Sequence, residues 1–270
     1  MGSLLKQISA NEIATVQFLK WTDLYIHEKP FQMFLEINAE SNEQRTSNLQ
    51  FEEKSIAVEN IRGYEHLFEL DKHGFIIRPF PSAPSCLRDI NRETVVSSYF
   101  PAVDELLRQE LEDVDRTFLL DWRVRSADPV HHENKTTINL LDLTSRLKPA
   151  NAAHIDQSPL WLPLFHAVED WPLALCDGST VSLQDDLVET DNIRRTYQSA
   201  NMYMMHRENH KWYFLKKQDV NEVLIFKQFD TEETQAEVCP HVSFLQNGIP
   251  AGTPPRQSIE MRVIVFTYPH

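Results

Sequence analysis

The chain has 270 residues, 41% apolar and 24% charged, with a formal net charge of −14. That length and composition suit a globular chain with one sizeable core and one or two domains. The acidic balance argues against nucleic acid as the main partner, and no apolar run approaches the roughly 20 residues that cross a bilayer.

The first 35 residues carry Phe18, Leu19, Trp21, Leu24 and Tyr25 at a spacing that fits either a helix or a short edge segment. Ser41 to Glu53 reads as a polar loop leading into a strand at Ile56 to Ile61. His73-Gly74 turns the chain into the apolar run Phe75-Ile76-Ile77, and Pro79, Pro81 and Pro84 mark a loop. Ser98 to Val114 is the clearest helix. Pro101 sits in its first turn, where a missing N–H costs little, and Phe100, Val103, Leu106, Leu107, Leu111 and Val114 form an apolar stripe. After it the chain turns β-rich: Thr117 to Val124, Tyr203 to Met205, Trp212 to Leu215, Val223 to Phe229 and Ile259 to Phe266 read as strands. Arg207 to His210 reads as a hairpin tip. Many short strands with long connections point to a barrel or jelly roll. With only six glycines, the turns must rely on Asp, Asn, Ser and the 15 prolines. The expected organisation is a single domain over 1–270, with an N-terminal elaboration over 1–55.

The cysteines Cys86, Cys176 and Cys239 are odd in number and far apart. They supply neither a disulfide framework nor a zinc spacing, so a reducing, cytoplasmic setting is expected. The N-terminus lacks the basic and apolar regions of a signal peptide. Cys239 reads as a small buried apolar residue.

His154-Ile155-Asp156 carries the most chemical information. On a strand, positions two apart share a face, so the imidazole and the carboxylate point the same way. The distant His241 can complete a three-ligand cap on a metal and leave the opposite side open, an arrangement that suits non-heme Fe(II). Arg256-x-Ser258 then offers a cationic fork and a hydroxyl able to hold the distal carboxylate of a keto acid. Taken alone, His154 and Asp156 also fit a solvated loop or an ordinary His–carboxylate pair; the order of the parts favours the metal. For other tempting residues the plainer reading leads. His131-His132 belong in a solvated loop and His210 is exposed at the hairpin tip. Asp177 and Asp230 cap turns, and Trp161, Trp171 and Trp212 are core.

Five segments carry a resemblance: His154 to Ser158, Trp171-Pro172-Leu173-Ala174-Leu175-Cys176-Asp177, Asn209 to Leu215, Glu222 to Lys227 with Phe229-Asp230, and Pro240 to Phe244 followed by Arg256 to Arg262. In this order they resemble the fungal gibberellin-desaturase-like proteins, with aspergillic-acid-type hydroxylase/desaturases and cephalosporin-methoxylase-related proteins as relatives. The resemblance spans about Ile56 to Phe266. It implies a mainly β fold, a double-stranded β-helix (cupin-like jelly roll) with flanking helices and a core over about 117–267. It also implies dependence on Fe(II) and 2-oxoglutarate, and oxidation of a C–H bond in a secondary metabolite such as a terpenoid or meroterpenoid. His154, Asp156 and His241 would be the metal ligands. Arg256 and Ser258 would bind 2-oxoglutarate, with Arg262 as a competing candidate one strand face away.

The chain departs from that pattern in one place. The insertion before Trp161-Leu162-Pro163-Leu164 is short, and Leu162 stands where relatives carry arginine. Beside an active hydroxylase or desaturase, this leaves an accessory subunit of a heterodimer with a catalytic paralogue, and a cupin-like hydrolase or isomerase using another metal. A dimer is expected in either of the first two cases.

Overall fold

The computed structural model describes residues 12–35, 37, 44–81, 87, 89–132, 142–156, 160–194 and 198–268. Cys86 and the short segment at 157–159 lie outside them. The fold is mainly β. In chain order the strands are β1 (Glu12–Leu19), β2 (Phe31–Met33), β3 (Phe51–Asn60), β4 (Phe75–Pro79), β5 (Val114–Ser126), β6 (His154–Ile155) and β7 (Leu160–Pro163). They continue with β8 (Leu173–Cys176), β9 (Leu187–Ile193), β10 (Gln198–Met204), β11 (Trp212–Phe214), β12 (Glu222–Phe226), β13 (His241–Ser243) and β14 (Gln257–Thr267).

Two sheets result. Nine strands run in the order β1-β3-β11-β8-β13-β6-β10-β9-β2, and five in the order β4-β12-β7-β14-β5. The ambiguous N-terminal segment is a strand: β1 pairs antiparallel with β3, Glu12 opposite Val58 and Leu19 opposite Phe51. Ala14, Val16 and Phe18 alternate into the core, the period-2 signature of a one-sided strand. A short 3-10 turn at Asp23–Ile26 follows, so the sequence up to residue 55 supplies strands to the larger sheet.

The helix α1 (Phe100–Glu110) is shorter than its apolar stripe suggests. Helical turns at Arg92–Thr94, capped by Asn91, and a wide turn at Val95–Tyr99 lead into it. At its far end Asp113 adopts a left-handed conformation (φ 50°), and Val114 opens β5 instead of closing the helix. Val103, Leu106 and Leu107 pack on the outer face of the five-stranded sheet, against Trp122, Val124, Leu160, Leu162, Ile259 and Met261. A second cluster covers one face of the nine-stranded sheet through Ala153, Ile155, Ala174 and Val242. A third joins residues of both sheets, among them Trp161, Leu173, Leu175, Tyr213 and Phe226.

Strand alternation therefore sorts every key residue. His154, His241 and Ser243 lie opposite in facing to Ile155 and Val242. On β14, Ser258, Glu260 and Arg262 face away from Ile259 and Met261. Among the described residues no helix is long and apolar enough to cross a membrane.

Candidate metal and anion site

Two very short strands set the metal-binding geometry. His154 on β6 is the cross-strand partner of His241 on β13, and their rings lie 4.5 Å apart between centroids. Asp156 follows two positions after His154, and its backbone N–H is held by Gln228 Oε1 at 3.0 Å. His154 Nε2 is 3.9 Å from one Asp156 oxygen and His241 Nε2 is 3.9 Å from the other. One ligand atom from each residue lies within 4.8 Å of the others.

The tautomers follow from the outer contacts. His154 Nδ1 meets the Ala152 carbonyl at 2.7 Å and His241 Nδ1 meets the Cys239 carbonyl at 3.3 Å. A carbonyl only accepts, so each Nδ1 carries a proton and each Nε2 is turned inward, toward Asp156. Burial, reinforced by the adjacent His154, lowers the His241 pKa to about 4, so this ring is neutral. Burial opposes charge on Asp156, but His241, His154, Arg262 and Arg125 outweigh it and hold the carboxyl well below the usual carboxylate range. Neutral imidazoles and an anionic carboxylate are the forms a divalent metal takes. The residues fit the group.

Two residues further along β13, Ser243 faces the same way as His241 and marks the anion end. Arg256 is fully buried. It donates from Nη1 to Ser243 Oγ (2.6 Å) and to the Trp171 carbonyl (2.7 Å), and from Nε to Ser258 Oγ (3.2 Å). Its backbone N–H bonds both oxygens of Asp170 at 2.9 Å. The guanidinium stands over the Trp161 ring, 5.0 Å from the centroid. Nη2 has no partner. Burial and the nearby Arg125 lower the Arg256 pKa to about 9, which still leaves a cation at neutral pH. His154, His241, Ser243, Arg256, Arg125 and Trp161 line one small cavity, with Glu260, Phe226, Leu173 and Ala150 completing its wall.

The expected residues therefore converge, with one change. Arg262 lies on the same face of β14 as Ser258 and Glu260, not on the other. It stands 3.6 Å from Asp121, close enough to Asp156 to stabilise its charge, and away from the Arg256 end of the cavity. Leu162 faces the opposite way from Trp161, fully buried under α1, so this leucine takes nothing from the anion site. Leu162 therefore gives no reason to read the chain as an accessory subunit.

Sequence reasoning missed Ser243, Glu260, Arg125 and the placement of Trp161. The first two stand two positions after His241 and Ser258, so the same alternation that joins His154 to Asp156 would have found them. Arg125 binds Glu260 through two parallel bonds of 2.7 and 2.8 Å. His210 is not exposed. Its ring is buried, with Nε2 3.1 Å from Asp186. His131 and His132 are half-buried on Ser126, through its hydroxyl and carbonyl. Asp177 and Asp230 do receive turn N–H bonds, from Ser179 and Glu232. Cys239 is buried, and burial raises its thiol pKa well above the ordinary value, as it does for Cys176.

Comparison with known proteins places this geometry. The family model described as an oxidoreductase/YMDC permease-like domain matches residues 16–160 and 159–266. The chain is 27% identical over 244 residues to the Fe(II)/2-oxoglutarate-dependent dioxygenase nvfI of Aspergillus novofumigatus, covering 83% of this chain and 87% of that protein. It is 24% identical over 265 residues to the hydroxylase/desaturase efuI of Hormonema carpetanum, covering 82% and 86%. The solved structure of the iron and alpha-ketoglutarate-dependent endoperoxidase NvfI superposes with a TM-score of 0.80 at 22% identity, over 97% of this chain and 100% of that one. That likeness shows the fold, a jelly-roll-like pair of curled sheets. The relatives are fungal dioxygenases and hydroxylase/desaturases, a broader group than the gibberellin-desaturase-like proteins.

Proposed function

The chain belongs to the oxidoreductase/YMDC permease-like domain family, and from that premise we propose that it is an Fe(II)/2-oxoglutarate-dependent oxygenase of fungal secondary metabolism. One observation carries the reading. Two imidazoles and one carboxylate converge within 4.8 Å, and the cavity lined by those imidazoles also holds a buried arginine with a donor left over among the described residues.

His154, Asp156 and His241 would hold the iron. With 2-oxoglutarate and dioxygen, the iron supplies the oxidising power that breaks a C–H bond as the keto acid becomes succinate and carbon dioxide. The chain's own work is placement. The backbone carbonyls of Ala152 and Cys239 fix both imidazoles, and the Gln228 side chain fixes the Asp156 backbone. Arg256 would bind the distal carboxylate of 2-oxoglutarate through Nη2. Ser258 and Ser243 occupy its other nitrogens and so set its direction. Arg262, at the Asp156 end, would keep that carboxylate charged.

The proposed substrate is a bulky, mostly apolar metabolite such as a terpenoid or meroterpenoid, and the outcome hydroxylation or desaturation. The outer ends of β5 and β14 expose Phe118, Leu120, Ile264 and Phe266, which supports pairing with a second chain.

The test is anaerobic titration of the purified chain with Fe(II) and then 2-oxoglutarate, following the weak visible charge-transfer band of the complex. A band is expected in wild type, lost in His241→Ala and weakened in Arg256→Ala. A folded, metal-loaded wild type without a band overturns the reading.

A further inference from the structure

We propose that the Trp161 indole N–H is a second donor to the distal carboxylate of 2-oxoglutarate, beside Arg256 Nη2. The inference rests on the oxygenase reading above and deepens it. Arg256 Nη2 and Trp161 Nε1 are both buried donors without a partner. Both side chains line the cavity that contains His154 and His241, and the guanidinium stands over the indole. A buried donor left unsatisfied costs roughly 1–3 kcal/mol, so two such donors on the wall of one cavity are expensive unless an acceptor enters it.

Among the described residues neither donor meets an acceptor. Glu260 is the cross-strand partner of Trp161, but its oxygens are turned to Arg125 and Trp161 Nε1 meets neither of them. Ser243 and Ser258 already accept from Arg256. The remaining polar groups on the wall, the two imidazoles, belong to the metal end. A carboxylate brings two oxygens with about four lone-pair directions, enough for a guanidinium nitrogen and an indole N–H together. It also brings a negative charge to a wall where two guanidiniums, Arg125 and Arg256, face the single carboxylate of Glu260. In this arrangement the ring acts twice: its face supports the guanidinium, and its N–H fixes where the anion sits.

The test is Trp161→Phe, which keeps a ring beneath Arg256 and removes the donor. Affinity is measured anaerobically on Fe(II)-loaded protein, by calorimetry and by the charge-transfer band. The probes are 2-oxoglutarate and 2-oxobutyrate, a keto acid without the distal carboxylate. Trp161→Phe is expected to weaken 2-oxoglutarate about tenfold or more, as for loss of a charge-assisted hydrogen bond. Its affinity for 2-oxobutyrate is expected to match wild type. Equal 2-oxoglutarate affinity in variant and wild type overturns the proposal. Equal weakening of both keto acids also overturns it, because that reduces Trp161 to a wall. Where Trp161→Phe does not fold, a benzothiophene side chain at this position keeps the shape without the N–H and gives the same readout. Wild type that binds Fe(II) but neither keto acid overturns the oxygenase reading itself, a result distinct from both of these.

Discussion

Substituting Glu260→Gln removes one negative charge from the cavity wall and nearly nothing else. Its partner Arg125 is left with 14% side-chain exposure and only the more distant Asp156 carboxylate as counter-charge, near the second buried guanidinium of Arg256. The two bonds of 2.7 and 2.8 Å put the charge centres about 4 Å apart. At an effective dielectric of about 20 their attraction is then about 4 kcal/mol, and breaking a buried pair by removing one partner costs about 3–5 kcal/mol in comparable cases. For a chain of this size roughly 3 °C of melting temperature accompanies each kcal/mol, so a fall of about 10 °C is expected. Differential scanning calorimetry of the metal-free protein reads it directly. Arg125→Met with Glu260→Met should restore most of the loss, because two apolar side chains leave no charge behind. A Glu260→Gln protein that melts within about 3 °C of wild type would refute the view that this pair neutralises the cavity wall.

Leu162→Ala should cost about 2–5 kcal/mol by opening a cavity under α1, with 2-oxoglutarate affinity unchanged; a weakened affinity would place Leu162 at the site after all. Gly178→Ala would drive a Cβ to 2.1 Å from the Val238 carbonyl and 2.8 Å from Ala236 Cβ, so the segment leading to His241 must shift. A loss of about 1–3 kcal/mol and weaker Fe(II) binding are expected, checked by melting and by metal titration. Burial lowers the His210 pKa below its ordinary 6.5 despite the opposing Asp186. As pH falls below about 6.5 the unfolded chain protonates there first, so native stability is lost on acidification and regained on return. His210→Gln should flatten the melting temperature between about pH 7 and pH 5.5; an unchanged slope assigns the acid sensitivity elsewhere.

The nearness of His154 and Asp156 was legible because alternation is local: the two need only an extended backbone to share a face. Arg256 and Ser258 were legible for the same reason. What sequence could not show is which strands meet. Trp161 is an apolar residue among apolar residues, and only the pairing of β7 with β14 sets it opposite Glu260 and under Arg256. Arg125 lies far from every motif along the chain and enters the cavity because β5 pairs with β14, Arg125 opposite Ser258. Arg262 was misplaced by a miscount of facing, since it continues the even-numbered face of β14. His210 looked exposed because a polar tip usually is. Asp186 on a neighbouring turn draws it inward. The stripe over Ser98 to Val114 overran the helix because Leu111 turns extended and the left-handed Asp113 then redirects the chain into β5, conformations apolar spacing does not encode.

The chain as a whole carries −14, while Arg125 and Arg256 stand inside the cavity and Arg262 shares their face. A doubly negative keto acid would thus be repelled at long range and attracted at contact. Added salt screens the first effect and barely reaches the second, because buried charges are shielded from counter-ions. Encounter and retention then answer to ionic strength in different ways. On the proposed reading, the acidic chain would slow capture of the keto acid without loosening its hold on the inner guanidinium.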